Sequence, residues 1–199
     1  MDNYEKIVQQ NLDRLYGDLP ADLADNLPAD RQGEGFVFEA FGQTCRITPE
    51  QIVLGDGGQP SVMGIMISLY ALNARPDVCV VEPLKAFKEF SGSMPYVGAF
   101  ATHTEQVLVP YVEAVASAAP RIKNVLRGSE APPATGGDFA FLVYPLPKIA
   151  LCYIFYEADE DFPASVTCLF SNNARRFLPV DALADVGEYT SRKIIERVG

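Results

Sequence analysis

The 199-residue sequence predicts an α+β fold, with small antiparallel sheets packed against helices in a single compact domain over residues 1–199. Three observations carry that expectation. Strand-like and helix-like segments are partly segregated, in the order helices, short strands, helices, three strands, helix. Regular β–α–β alternation is absent, and so is the glycine spacing of a dinucleotide-binding turn. The 48% hydrophobic and 21% charged content suits an ordered globular core with no need of disulfides or metals.

Along the chain, Tyr4, Ile7, Val8, Leu12 and Leu15 fall on one stripe of a helix over residues 3–16, with Asp2 or Asn3 as cap and Gly17 as stop. Leu19, Leu23 and Leu27 recur every four residues, which predicts a second short helix, so residues 1–32 read as an N-terminal helical segment. A turn at 33–35 leads into a strand over 36–41, a hairpin turn at Gly42-Gln43 and a strand over 44–47. Pro49-Glu50 breaks the pattern before a third short strand over 51–54, which completes a small meander. After the loop Gly55-Asp56-Gly57-Gly58, Pro60 opens a strongly apolar helix to residue 73, with Ser61 near its start.

Residues 77–81 read as extended, 84–90 fit either helix or strand, and 91–95 form a turn. Residues 96–118 are largely helical, interrupted near 102–104, with Pro110 near a helix start. Pro120 is expected to open a further short helix ending at Gly128. The stretch 129–137, SEAPPATGG, reads as an exposed loop. Three strands follow over 139–144, 149–157 and 165–170, rich in β-branched and aromatic residues. Pro145 and Pro147 bound the second of them, and 158–163 joins the second to the third as a hairpin loop. Residues 180–198 form a helix with Asp181 and Asp185 early and Arg192, Lys193 and Arg197 late, an arrangement that suits the helix dipole.

The net charge of −10 repels phosphate backbones and anionic membrane surfaces, so neither nucleic acid nor membrane is expected as a partner. A basic partner or a cationic ligand is permitted. No stretch approaches the roughly 20 apolar residues of a membrane helix. The N-terminus MDNYEKIVQQ lacks the basic start and apolar core of a secretion signal, so the chain reads as cytoplasmic. Cys45, Cys79, Cys152 and Cys168 form no CxxC pair and read as buried thiols.

The chemistry-bearing residues are few. His103 is the one histidine, which excludes a multi-histidine metal site. With no nucleophile elbow in the sequence, it reads as an exposed or helix-capping residue. The glycine loop 55–58 resembles a phosphate-cradling nest in outline but lacks the Lys-Ser/Thr of a P-loop. Glu157, Asp159, Glu160 and Asp161 concentrate charge that could bind a hard cation or act as general acid and base, although a solvated turn explains the run most simply. Phe162-Pro163 beside them could raise their pKa values. Cys152 and Cys168 lie on the two arms of a proposed hairpin, which raises a redox pair as an alternative to structural thiols. Arg175-Arg176 after Ser171-Asn-Asn could bind an anion or balance nearby acids. Asp138 and Lys148 flank the first of the three long strands and its turn, as structural hydrogen-bonders or as a site wall.

The stretch 136–183 combines Asp138 after a glycine-rich loop, Leu146-Pro147-Lys148, the run Asp159-Glu160-Asp161-Phe162-Pro163-Ala164, Leu169-Phe170 and Phe177-Leu178-Pro179. In that pattern it resembles a domain-of-unknown-function family found mainly in anaerobic bacteria and archaea. Two departures stand out. Family members usually carry Asp where this chain has Ser171, and many carry Trp before the acidic run, where this chain has Tyr156. The resemblance implies no defined activity. Its association with iron–sulfur domains suggests a role in anaerobic one-carbon or corrinoid metabolism.

Three functional classes therefore stand. The first is a non-catalytic accessory protein that binds a small-molecule ligand or a protein partner through a pocket between sheet and helices. The second is an enzyme using the carboxylates, with or without a metal. The third is an interaction protein that forms a homodimer through a large apolar patch. The first is preferred, with Asp138, Lys148, Glu157, Asp159 and Glu160 as candidate ligand-binding residues and no catalytic residue, metal or cofactor assigned.

Overall fold

The structure, a computed structural model, describes residues 3–57 and 61–198. Asp2, Gly58 and Pro60, read above as cap, loop end and helix opener, lie outside the described residues. The architecture is α+β, with two antiparallel sheets and helices around one shared core.

Helix α1 (Asn3–Gly17) buries Val8, Leu12 and Leu15. It also buries Asn11, whose Nδ2 donates to Ser68 Oγ at 2.9 Å on α3 (Ser61–Leu72). Ser68 in turn donates to the Ile65 carbonyl at 2.9 Å, so the polar pair inside the helix contact is satisfied. The short α2 (Leu23–Asn26) delivers Leu23 and the following Leu27 to the core.

The first sheet has the order β1 (Asp30–Gln32), β2 (Gly35–Ala40), β3 (Gln43–Ile47), β4 (Ile52–Leu54). It is the expected meander with one more strand. β1 falls in the stretch read as helical, and all three of its side chains are exposed, so it offers no alternating apolar signal. The β2–β3 turn is Phe41–Gly42, one residue earlier than the sequence suggested, with φ values of 51° and 72°. A two-residue hairpin loop needs two left-handed residues. Phe41 is held in that conformation because its ring is fully buried and its N–H donates to the Pro145 carbonyl of the second sheet at 2.7 Å.

That second sheet has the order β5 (Lys85–Ala86), β9 (Ser165–Phe170), β8 (Ile149–Tyr156), β7 (Phe139–Leu146), β6 (Ser129–Glu130). The three long strands sit where expected. β7 runs on through Pro145 because its register shifts between Val143 and Leu146. Ser129–Glu130 pairs with Leu142 and Phe141 inside the stretch read as loop. The ambiguous segment 84–90 resolves into β5 and a 3-10 turn over Phe87–Glu89.

Over the inner face lie α4 (Val97–Phe100), a π-helical turn (Ala101–Glu105), a 3-10 turn (Gln106–Tyr111), α5 (Val112–Val125) and α6 (Val180–Ile195). The π turn is the interruption expected at 102–104. Pro120 lies inside α5 and opens no new helix; it is exposed, where a lost backbone hydrogen bond is tolerated. Ser191 Oγ donates to the Thr104 carbonyl at 2.7 Å, and the Tyr153 hydroxyl lies 2.9 Å from Ser191 Oγ and 3.3 Å from the Gly187 carbonyl. This buried network ties α6 to the π turn and to β8.

The approach of α6 requires a glycine. A Cβ at Gly187 would lie 2.6 Å from Phe100 Cε2 and 2.8 Å from Thr104 Oγ1, both on buried residues. Gly187→Ala is expected to lower unfolding free energy by about 1–3 kcal/mol in chemical denaturation. Gly98→Ala, whose Cβ would meet nothing within 4 Å, should be neutral or stabilising.

Candidate functional site

β8 is buried along both faces from Ile149 to Phe155. Its inner face joins the main core, while the outer face presents Leu142, Ala150, Cys152 and Ile154 as a second cluster. Cys79, Val81 and Leu84 cover that cluster. They belong to residues 77–84, of which 77–81 were expected to be extended, and these run across the sheet without joining a strand ladder.

A segment without a ladder still needs hydrogen-bond partners. Two asparagines after β9 supply them. Asn173 Oδ1 accepts from Val80 N–H at 2.9 Å, and its Nδ2 donates to the Val78 carbonyl at 2.8 Å. Asn172 N–H donates to the Val80 carbonyl at 2.7 Å, and its Nδ2 donates to the Pro83 carbonyl at 2.8 Å. Lys148 holds the near end of the strap. Its Nζ donates to the Arg75 carbonyl at 2.6 Å and lies 5.9 Å from the Phe177 ring centre. Burial lowers the Lys148 pKa, and Asp77 opposes that shift. Ser171 is fully buried, and its Oγ accepts from Ala150 N–H at 3.2 Å. Burial raises the pKa of Cys79 above it, against hydrogen bonds from Ser171 and the Ala150 N–H.

The strap, β5 and the turn over Ala174–Arg176 enclose an open cleft of about 530 Å3. Lys85, Arg175 and Arg176 line it against the acids Asp77 and Glu89. Arg176 pairs with Asp77 at 3.0 Å, and Glu89 Oε2 accepts from Ala86 N–H at 2.6 Å. Arg175 Nη1 donates to the Leu178 carbonyl at 3.2 Å. Among the described residues neither Lys85 nor Arg175 has an ion-pair partner. Val78, which is 71% exposed, and Val80 give the cleft an apolar rim.

The candidate residues named from the sequence divide between two ends of the sheet. Asp138 and Glu157 meet at one end, where Asp138 Oδ2 accepts from Glu157 N–H at 2.7 Å. Asp159 Oδ1 accepts from Asp161 N–H at 2.8 Å and Phe162 N–H at 2.7 Å, capping its own turn, while Glu160 stands exposed beside it. Lys148 lies at the opposite end of the eight-residue strands, roughly 25 Å away. Among the described residues no group of three or more His, Cys, Asp or Glu is placed to hold a metal ion. Cys152 and Cys168 do not face each other. The register opposes Tyr153 to Cys168 and Cys152 to Leu169, so Cys152 lies in the outer cluster and Cys168 in the main core. The cleft residues Lys85, Asn172 and Asn173 were missed as site residues. The Arg175-Arg176 pair was the one sequence signal that pointed to them.

His103 is exposed on the π turn and borders a separate cleft of about 210 Å3 with Tyr96, Asp181, Asp185 and Glu188. Burial, then Glu188 and Asp181, pushes the Asp185 carboxyl up to about 6.

An α+β domain with a ligand-sized cleft at its sheet edge is the class that these observations define. The chain belongs to the family described as "Domain of unknown function (DUF3786)", whose model matches residues 19–193. That span takes in the strap, the cleft and the acidic turn. No curated protein and no solved structure matches the chain.

Asn173→Ala removes both hydrogen bonds that Asn173 makes to the strap and should loosen residues 78–80 at a local cost of about 1–3 kcal/mol, read as faster amide hydrogen exchange at Val80 with the β8 amides unchanged. For Asp185, a raised folded-state pKa means that the native state holds its proton more tightly than the unfolded chain. Its contribution to stability is therefore lost as pH rises from about 4 through 6. Asp185→Asn should stabilise the protein at neutral pH by on the order of 1 kcal/mol, discounted for its half-open position, and the gain should vanish near pH 4 in denaturant titrations.

Proposed function

We propose that this protein is a non-catalytic, ligand-binding accessory protein whose strap cleft takes a small organic carboxylate. The observation that carries the reading is the pair Lys85 and Arg175, two cations that line one cleft without an ion-pair partner among the described residues, on a chain of net charge −10. Guanidinium and ammonium donors fit a carboxylate, and the rim formed by Val78 and Val80 fits an apolar portion attached to it. Asn172, Asn173 and Lys148 then act as positioning residues, since each holds the strap through backbone atoms. In this reading Asp138, Glu157, Asp159 and Glu160 belong to a water-facing turn.

The family resemblance supports a setting in anaerobic metabolism. The four free thiols suit a reducing, cytoplasmic compartment. The acidic surface argues against a nucleic-acid partner.

Hexanoate is a suitable probe, because it joins a carboxylate to a short apolar chain. In amide-resolved NMR titration it should shift Val80, Lys85 and Asn173 saturably. The double change Lys85→Gln and Arg175→Gln should weaken binding by at least about tenfold, with the fold intact. Absence of saturable shifts there, or equal binding by the variant, would sink the proposal. Native mass spectrometry of the protein from its own organism gives an independent readout. A retained small acid supports the ligand reading, whereas a ligand-free homodimer favours the interaction reading.

A further inference from the structure

A second cleft, of about 710 Å3, lies over the outer face of β3 and β4. Two arginines from distant parts of the chain line it, Arg46 on β3 and Arg197 just beyond α6, with Asp56 as the one acid among its lining residues. Gln43, Thr44 and Gln51 add neutral hydrogen-bonding groups.

Arg197 differs from the other charges of the C-terminal turn. Arg192 pairs with Glu188, and Lys193 pairs with Glu196 at 2.9 Å. Arg197 has no ion pair among the described residues, and its Nε is buried without a hydrogen-bond partner. A buried donor without an acceptor is rare in folded proteins. Arg46 donates from Nη2 to the neutral Gln32 Oε1 at 2.9 Å and forms no ion pair among the described residues.

We infer that this cleft is an anion site for a phosphate group, such as that of a phosphomonoester, gripped between the Arg46 and Arg197 guanidinium groups. A tetrahedral dianion offers enough oxygens to engage both planar forks at once. The uncharged groups around them suit hydroxyl-bearing portions of the same molecule. The glycine loop 55–57 passes beside the site, with Gly55 at φ 60° and its N–H donating to the Thr44 carbonyl at 2.8 Å. Its closeness to a phosphate site thus rests on the two arginines and not on a backbone nest. Arg197 lies beyond the family-matched span 19–193.

The test is a titration of the full chain with inorganic phosphate at constant ionic strength, with chloride as the control, followed by NMR. Saturable shifts are expected at the Thr44, Arg46 and Asp56 amides and at the Arg197 Nε–H signal. Arg197→Gln should weaken binding by at least about tenfold. Arg197→Lys should recover part of the loss, because it restores the charge without the fork. The Lys85→Gln and Arg175→Gln double variant should bind phosphate here as the parent does, which separates this site from the carboxylate cleft. The inference is overturned if phosphate and chloride give the same shifts, or if Arg197→Gln binds phosphate as tightly as the parent. Should Arg197→Gln fail to fold, an Arg197 Nε–H signal that phosphate leaves unmoved in the parent protein overturns it equally.

Discussion

Burial of β8 on both faces is the constraint on which the rest depends. A central strand with no exposed side from Ile149 to Phe155 needs cover on two sides. The inner face is covered by helices, which satisfy their own backbone and bring apolar side chains such as Leu183 and Val186. The outer face is small, and residues 77–84 and Ala131 cover it instead. A helix over that face would have needed no help from neighbours. The irregular strap needs an acceptor or donor at almost every peptide, and Asn172, Asn173 and Lys148 provide them. The cleft is a consequence of that solution. Where the strap lifts from the sheet edge at β5, space remains between its backbone and the turn that carries Arg175 and Arg176.

The two sheets are joined at one point that both need. Phe41 occupies a left-handed turn position, which costs a non-glycine residue on the order of 1 kcal/mol. Full burial of its ring and the hydrogen bond to the Pro145 carbonyl offset that cost. The irregularity in β7 between Val143 and Leu146 lies at the place where the carbonyl must turn toward the other sheet. The shifted turn, the bulge and the proline are therefore one arrangement seen from three residues.

Much of this was legible in the sequence, and the failures have common causes. α1, the meander, the three long strands and α6 are amphipathic or densely apolar, so composition and period alone define them. β1 was hidden because all its side chains face water, and β6 because two residues carry no period. Pro120 misled because a proline rule for helix starts says nothing about a proline on the exposed side of a continuing helix. Cys152 and Cys168 are separated by register. A shift of one residue in the β8–β9 pairing would place them opposite each other, and strand periodicity cannot fix that shift without the length and shape of the loop. The candidate site was legible only in part. Lys148 and the Arg175-Arg176 pair attracted notice as isolated charges. Asn172 and Asn173 matter through the backbone of a segment more than ninety residues away in sequence, a relation that no local pattern carries.

Charge distribution supplies the last distinction between scaffold and function. At net −10 the average surface position favours an acid, and Asp159 caps the turn it stands in. Acids therefore say little about function in this protein, while cations without partners say more. Among the described residues the strap cleft and the cleft over β3 and β4 each have cations that form no ion pair. Among the described residues the side chains of Lys85 and Arg197 close no hydrogen-bond gap, while Arg175 satisfies the Leu178 carbonyl just beyond its turn. Residues that the scaffold does not need, in concave places where their charge is uncompensated, are where binding should be sought. Lys148, buried and committed to the Arg75 carbonyl, is part of the frame that holds the strap.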